Sequence, residues 1–176
     1  ESMGLKDQAE EYSREVDFPI FVGIEYFSRE GDIVAFGIED YPRERVPAQE
    51  FIDLVQSQAG ICFSAHPFRN NNRGLGENLK KVTGLNGVEV LNGSTSREAN
   101  LEAVRYANGL NLIPVGVRDC HVREKLGIYA TYFPEAINTV SDLVRAFKEG
   151  RPEPAYYENG GYPIWDMKLQ IEANGT

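Results

Sequence analysis

The chain has 176 residues and a formal net charge of −9, from 18 Lys and Arg against 27 Asp and Glu. This length suits one domain with its own core, and the 41 % hydrophobic and 26 % charged contents exclude disordered, collagen-like and coiled-coil chains. No apolar run is long enough for a membrane span, and the acidic balance argues against binding to a long nucleic acid. A carboxylate-lined metal site also produces such a balance, which leaves a small anionic substrate open.

The first half of the chain changes from helical to strand periodicity. Apolar residues at helical spacing predict an opening amphipathic helix, with Leu5, Ala9, Tyr12 and Val16 facing the core. Two β-branched and aromatic runs, 18–25 and 32–38, predict strands that the turn residues 29–31 join as a hairpin. After them we expect a helix opened by Pro47, a strand at 60–65 and a loop at 69–76.

The second half alternates between the same two periods. The predicted elements are a short helix at 78–82, a strand at 87–91, a helix stopped by Gly109, strands at 112–116 and 127–133, a last helix with Ser141 as its N-cap, and an edge strand at 167–171. This order favours an α/β fold, most simply a parallel sheet or barrel wrapped by helices. In such folds the loops after the carboxyl ends of the strands form the mouth of the active site.

Several predicted strands end in a residue that can bind a metal or move a proton. These residues are Glu25, His66, Asn92, and Asp119 with His121. Each has a simpler explanation by itself: a hydrogen-bonded structural histidine, a turn cap or a solvated carboxylate. Their shared placement, which includes both histidines of the chain, favours a metal site of carboxylates and imidazoles, a donor set that suits zinc, manganese or iron.

These motifs resemble the PHP (polymerase and histidinol phosphatase) family of metal-dependent phosphoesterases. The resemblance rests on Gly23-Ile-Glu25, Ala65-His66-Pro67-Phe-Arg69, Asp119-Cys-His121 with Gly127 and Thr131 after it, and Glu149-Gly150-Arg151-Pro152. It covers roughly residues 1–155, and the aromatic, Gly- and Pro-rich tail at 156–176 is expected to cover an edge of the core. The family implies a distorted (β/α)7 TIM-like barrel with two or three manganese, zinc or iron ions at its mouth.

The resemblance also implies roles for individual residues. Glu25 would bridge two metals, His66 would bind one of them, and Asp119 and His121 would complete a cluster that activates water. Arg69 and Arg73 would clamp the phosphate of a small substrate, or remain solvated loop charges. Arg118 would pair with Asp119 or reach the phosphate, and Asn92 would support the ligands from behind.

One departure from the family pattern keeps a second function open. The family begins with a His-x-His strand and an Asp-His pair, whereas this sequence begins Glu1-Ser2-Met3-Gly4-Leu5, which resembles the segment after that pair. About four metal ligands therefore have no counterpart. The alternatives are a phosphoesterase acting on a phosphate monoester or nucleotide-like phosphodiester, and a catalytically silent PHP-like structural or regulatory module. A zinc hydrolase of the amidohydrolase type ranks last, because it normally needs more histidines.

The two cysteines, Cys62 and Cys120, form no CxxC motif. Their spacing argues against a disulfide scaffold and a structural zinc finger. We therefore expect a reducing, cytoplasmic compartment. The oligomeric state has no sequence signature here.

Overall fold

The computed structural model describes residues 2–120 and 127–167. Its helices are α1 (Lys6–Val16), α2 (Ala48–Ser57), α3 (Arg97–Leu110) and α4 (Val140–Glu149), with 3₁₀ turns at Ser2–Leu5 and Gly76–Lys81. Its strands are β1 (Ile24–Phe27), β2 (Asp32–Phe36), β3 (Ile61–Ser64), β4 (Gly87–Asn92), β5 (Ile113–Val117), β6 (Tyr129–Tyr132) and β7 (Glu153–Tyr156). Within these ranges no helix combines the length and the apolarity needed to cross a lipid bilayer.

Five strands form a mixed sheet in the order β1-β2-β3-β4-β5. The predicted hairpin is confirmed, since β1 and β2 pair antiparallel through Ile24 with Ala35 and Phe27 with Asp32. Its first strand was expected at 18–25, however, and β1 covers Ile24–Phe27. β2 also runs antiparallel to β3, whereas β3, β4 and β5 are parallel. An all-parallel sheet is therefore wrong for the first half of the fold, because a short hairpin connection reverses the strand direction.

β6 and β7 form a separate antiparallel pair. It approaches β5 at Gly116, whose N–H donates to Thr131 Oγ1 over 3.1 Å and whose carbonyl accepts from the same hydroxyl over 2.8 Å. A Cβ at position 116 would lie 2.2 Å from the Ala130 carbonyl oxygen, so this approach requires glycine. In the described part of the chain the two sheets share no strand pairing. The α/β class is confirmed, and closure into a barrel remains a prediction.

The two faces of β3 belong to two different apolar clusters. Cys62 faces the larger cluster, to which α2 and α3 contribute, whereas Ile61 and Phe63 face a smaller one with Phe147 of α4. This split follows from the two-residue period of a strand. Fully burying each large side chain stabilises the fold by roughly 1.5–3 kcal/mol.

Two helix ends differ from their predictions. α3 continues through Gly109 and ends at Leu110, where Asn111 adopts the left-handed conformation with φ 54°. α4 begins two residues earlier than expected, because Thr139 rather than Ser141 is its N-cap. Thr139 and Asp142 form a capping box, in which each side chain accepts a hydrogen bond from the other residue's backbone N–H.

The two ends of the chain also differ from expectation. In α1 only Ala9 is buried. The other predicted core positions are exposed, Tyr12 and Val16 at 57 % each and Leu5, in the 3₁₀ turn before the helix, at 48 %. No strand was predicted at Glu153–Tyr156, where the structure has β7, and Pro154 is tolerated there because the pair is short and antiparallel at an edge. The edge strand expected at 167–171 lies almost entirely outside the described residues. The division between 155 and 156 remains a prediction.

Candidate metal centre

Three side chains meet where the hairpin adjoins the end of β3. The Nε2 atom of His66 lies 3.0 Å from Glu25 Oε1 and 3.6 Å from Asp32 Oδ2. One ligand atom of each residue lies within 4.8 Å of the other two. The sheet order explains the meeting, because Asp32 opens β2, and its two neighbours in the sheet are β1, which carries Glu25, and β3, which His66 follows.

Asp32 is the member of this group that the sequence analysis missed. It is 1 % exposed and accepts hydrogen bonds from Arg73 Nε at 2.8 Å and Arg73 Nη2 at 2.9 Å. Its position directly after the turn 29–31, at the start of an apolar run, identified it only as the first residue of a strand. A buried carboxylate that faces an imidazole is a typical metal ligand or orienting group.

The loop after β3 holds His66 in an unusual conformation. Its φ is 27°, in the left-handed region, and its backbone N–H donates to Glu89 Oε2 over 2.8 Å. Glu89 also accepts from Asn92 Nδ2 at 2.8 Å. The return of the loop passes so close that a Cβ on Gly74 would lie 2.2 Å from the Pro67 carbonyl oxygen. Within the described residues, the buried His66 Nδ1 has no hydrogen-bond partner.

The charges of the three residues are coupled. The hydrogen bond from His66 lowers the pKa of Glu25, although burial opposes this. Burial raises the pKa of Asp32 against the opposing effect of Arg73. Burial alone would lower the pKa of His66, but the hydrogen bond to Glu25 and the charges of Glu25 and Glu89 raise it overall. The protonation states of the three side chains therefore depend on one another.

Arg69 organises a second group beside the first. Its Nη2 forms an ion pair with Asp119 and donates to Asn92 Oδ1 at 2.8 Å, while its Nε donates to Thr95 Oγ1 at 3.0 Å. Asp119 belongs to this group. Its negative charge opposes the net lowering of the Glu25 pKa and adds to the rise in the Glu89 pKa that burial causes. Glu89 therefore connects the two groups, through the backbone of His66 and the side chain of Asn92.

The remaining predicted residues have different environments. Arg73 is bound to Asp32, and its guanidinium lies 4.1 Å from the ring centroid of Phe27. The Nη1 of Arg118 lies 3.4 Å from Ser94 Oγ, Arg69 pairs with Asp119, and the roles expected of Arg118 remain predictions. His121 lies outside the described residues. The ligand roles of Asp119 and His121 therefore remain predictions.

Residues 97–152 match the family model of the PHP-associated domain, PHP_C. An uncharacterized protein, MJ1587, of Methanocaldococcus jannaschii is 28 % identical over 86 residues, which are 48 % of this chain and 49 % of that protein. The chain thus spans about half the length of this curated relative.

Two solved structures share the fold. One is a proposed metal-dependent phosphoesterase of Bifidobacterium adolescentis, with a TM-score of 0.59 and 15 % identity over 84 % of this chain and 82 % of that one. The other is PsfC of Pseudomonas syringae PB-5123, with a TM-score of 0.63 and 18 % identity over 88 % of this chain and 64 % of that one. These two likenesses show the fold, and the family-model match supports the resemblance to the PHP family over residues 97–152.

Proposed function

We propose that this protein is a metal-dependent phosphoesterase, which hydrolyses a phosphate monoester or a nucleotide-like phosphodiester with a metal-activated water. The observation that carries the proposal is the convergence of Glu25, Asp32 and His66, with their ligand atoms within 4.8 Å of one another. The name of the similar Bifidobacterium protein supports the same reaction class. The substrate would be a small phosphorylated molecule, and we propose a cytoplasmic location on the basis of the free cysteines.

The donor set fits a divalent transition metal. Two carboxylates and one imidazole suit manganese, zinc or iron better than calcium or magnesium. Within the described residues, Glu25, Asp32 and His66 would hold the ion, and its chemistry would be to polarise phosphate oxygens and acidify a bound water. Arg73 would keep the buried Asp32 ionised, since its guanidinium forms two hydrogen bonds with that carboxylate.

Arg69 is the best-placed residue for binding phosphate. Asn92 and Thr95 fix its guanidinium through two hydrogen bonds, so little rotamer freedom is left to lose when an anion binds. Its ion pair with Asp119 would be shared with the substrate. Arg73 and Arg118 are weaker candidates, because Arg73 already serves Asp32 and Arg118 contacts Ser94.

The proposal is tested by hydrolysis assays on protein stripped with chelator and reloaded with Mn²⁺, Zn²⁺ or Fe²⁺. p-Nitrophenyl phosphate and bis(p-nitrophenyl) phosphate separate monoester from diester activity. We expect metal-dependent hydrolysis that Asp32→Asn lowers 10- to 100-fold, because such substitutions weaken metal sites by that factor. The matched control is Asp53→Asn, on the exposed side of α2, which should retain activity. Hydrolysis that is indifferent to metal would contradict the proposal.

A second candidate is a catalytically silent structural or regulatory module. The observation that favours it is the pairing of Asp119 with Arg69, which leaves three grouped ligands in the described residues. Three protein ligands satisfy one ion of this type. Binding of one metal without hydrolysis of either ester would support the silent module.

A further inference from the structure

A cavity of about 520 Å³ opens beside the candidate phosphate site. Pockets of this size accommodate small organic groups. Three aromatic rings, from Tyr129, Tyr156 and Trp165, contribute to its wall. The sequence predicts that the tail aromatics cover an edge of the core, and Tyr156 and Trp165, both partly buried, do pack against the main cluster.

The rings are held in place by the backbone. Tyr129 of β6 and Tyr156 of β7 are direct cross-strand partners, so their side chains lie on the same face of the pair. Trp165 N–H donates to the Pro154 carbonyl over 2.7 Å, which fixes the returning chain against β7. The cavity therefore presents aromatic surface from three backbone segments that are tied together.

The cavity shares a wall with the group around Arg69. Thr95 lines it, and Thr95 Oγ1 both accepts from Arg69 Nε at 3.0 Å and donates to Asn92 Oδ1 at 3.1 Å. Asn100 also lines it and bonds to the backbone of Asn92 in both directions, at 3.2 and 3.0 Å. A phosphate bound by Arg69 would thus have the aromatic cavity on the other side of Thr95.

We propose that this cavity binds a planar aromatic group carried by the alcohol portion of the phosphate ester. The ester itself rests on the proposed function, whereas binding of the ring does not require turnover. Aromatic faces at the wall favour stacked or edge-to-face contacts with such a group. A nucleobase and a phenol share this chemistry, and the test below separates them.

Trp165 provides the readout, because it is the single tryptophan of the chain and lines the cavity. Its fluorescence is titrated in the presence of chelator with two matched pairs of ligands. The pairs are AMP with ribose 5-phosphate, and O-phosphotyrosine with O-phosphoserine, and within each pair the ring is the main difference. We expect saturable quenching by at least one ring-bearing ligand, with an affinity about tenfold or more above that of its ring-less partner. The responding pair identifies the source of the ring.

Two variants of the same strand make the test specific. Tyr129→Leu should weaken binding of the ring-bearing ligand about tenfold. Tyr132→Leu, three residues further along β6, is the control, because Tyr132 is 45 % exposed and lies outside the cavity wall. Far-ultraviolet circular dichroism checks that both variants fold. The proposal is overturned if the members of each pair bind alike, or if both variants weaken binding equally.

The same titration separates this proposal from the proposed function. Ring-selective binding in a protein without metal-dependent hydrolysis would support the cavity and reject the phosphoesterase. Metal-dependent hydrolysis with no preference for a ring in binding would reject the cavity and leave the phosphoesterase intact.

Discussion

The His66 imidazole lies 3.0 Å from the Glu25 carboxylate although 41 positions separate them in the chain. Their proximity depends on strand pairing, since β2 lies between the strands that carry or precede them. Asp32, on the intervening strand β2, adds its carboxylate beside His66. The candidate metal centre is therefore a product of the sheet order β1-β2-β3, and its stability can be tested residue by residue.

Arg73 stabilises the fold through the buried Asp32 carboxylate. Arg73→Met would leave that carboxylate without its guanidinium, and we expect the free energy of unfolding to fall by about 1–3 kcal/mol at neutral pH. This loss is smaller than that expected for a fully buried ion pair, because the Arg73 side chain is partly exposed. Urea denaturation in chelator measures it.

The control for this prediction is Arg105→Met. Arg105 pairs with Glu102 one turn away on the surface of α3, so its loss should cost about 0.5 kcal/mol or less. Equal losses in the two variants would contradict the role given to Arg73.

Glu89 should give the metal-free protein a distinct pH dependence. Burial raises the pKa of Glu89 to about 7, so the folded chain holds a proton on this group that the unfolded chain releases near pH 4.5. The contribution of Glu89 to stability therefore falls as the pH rises from about 4.5 to about 7. In Glu89→Gln the amide oxygen can still accept from His66 N–H and Asn92 Nδ2. Because the amide does not titrate, the loss of stability with rising pH is removed.

We expect Glu89→Gln to gain stability relative to the wild type between pH 5 and pH 8, by about 2 kcal/mol. Urea denaturation at a series of pH values in chelator measures the difference. Glu89→Leu, which removes the acceptor for both His66 N–H and Asn92 Nδ2, should be less stable than Glu89→Gln at each pH. A difference between wild type and Glu89→Gln that stays constant with pH would show that Glu89 does not titrate in this range.

The two thiols should differ in reactivity. Burial raises the pKa of the Cys62 thiol to about 12, and Cys62 is fully buried in β3, whereas Cys120 is exposed. Because the thiolate is the reactive form, Ellman's reagent should modify one thiol of the native protein and two after unfolding. Cys120→Ser should abolish the native reaction and Cys62→Ser should retain it. Fast modification of Cys62 in the native Cys120→Ser variant would contradict the burial of β3.

The start of α4 gives a direct test of a capping assignment. Thr139→Ala removes the hydroxyl that accepts the Asp142 N–H, and should lower the free energy of unfolding by about 1 kcal/mol. Ser141→Ala, at the position that the sequence favoured, lies inside the helix and should cost less. Thermal or urea unfolding distinguishes the two, and a larger loss for Ser141→Ala would reverse the assignment.

Local patterns predicted most elements, and long-range pairing decided the rest. The run of β2 and the turn before it are visible in the sequence, whereas the apolar run 18–25 placed the first strand of the hairpin too early. That the Asp32 carboxylate faces His66 depends on β2 pairing with β3, which no local pattern encodes. Thr139 and Ser141 are both good cap residues, and the Thr139-x-x-Asp142 spacing was the clue that favoured the former.

The candidate site shows the same division. Glu25 and His66 were predicted because they end or follow predicted strands that an α/β fold brings together, whereas Arg69 was predicted only from the family resemblance. Their ion-pair partners were not predictable, because the pairs Arg69–Asp119 and Arg73–Asp32 join residues that are distant in the chain and meet only in the folded structure. The aromatic cavity likewise depends on a long-range pairing, since Tyr129 and Tyr156 meet only through the pairing of β6 with β7, a strand that was not predicted.

The most direct test of the account is a calorimetric titration of chelator-stripped protein with Mn²⁺ or Zn²⁺. We predict saturable binding with a stoichiometry of at least one ion per chain, weakened 10-fold or more by Asp32→Asn and by His66→Ala, and unchanged by Asp53→Asn. Circular dichroism confirms that each variant is folded. Equal metal affinity in the wild type, Asp32→Asn and His66→Ala would contradict the metal centre.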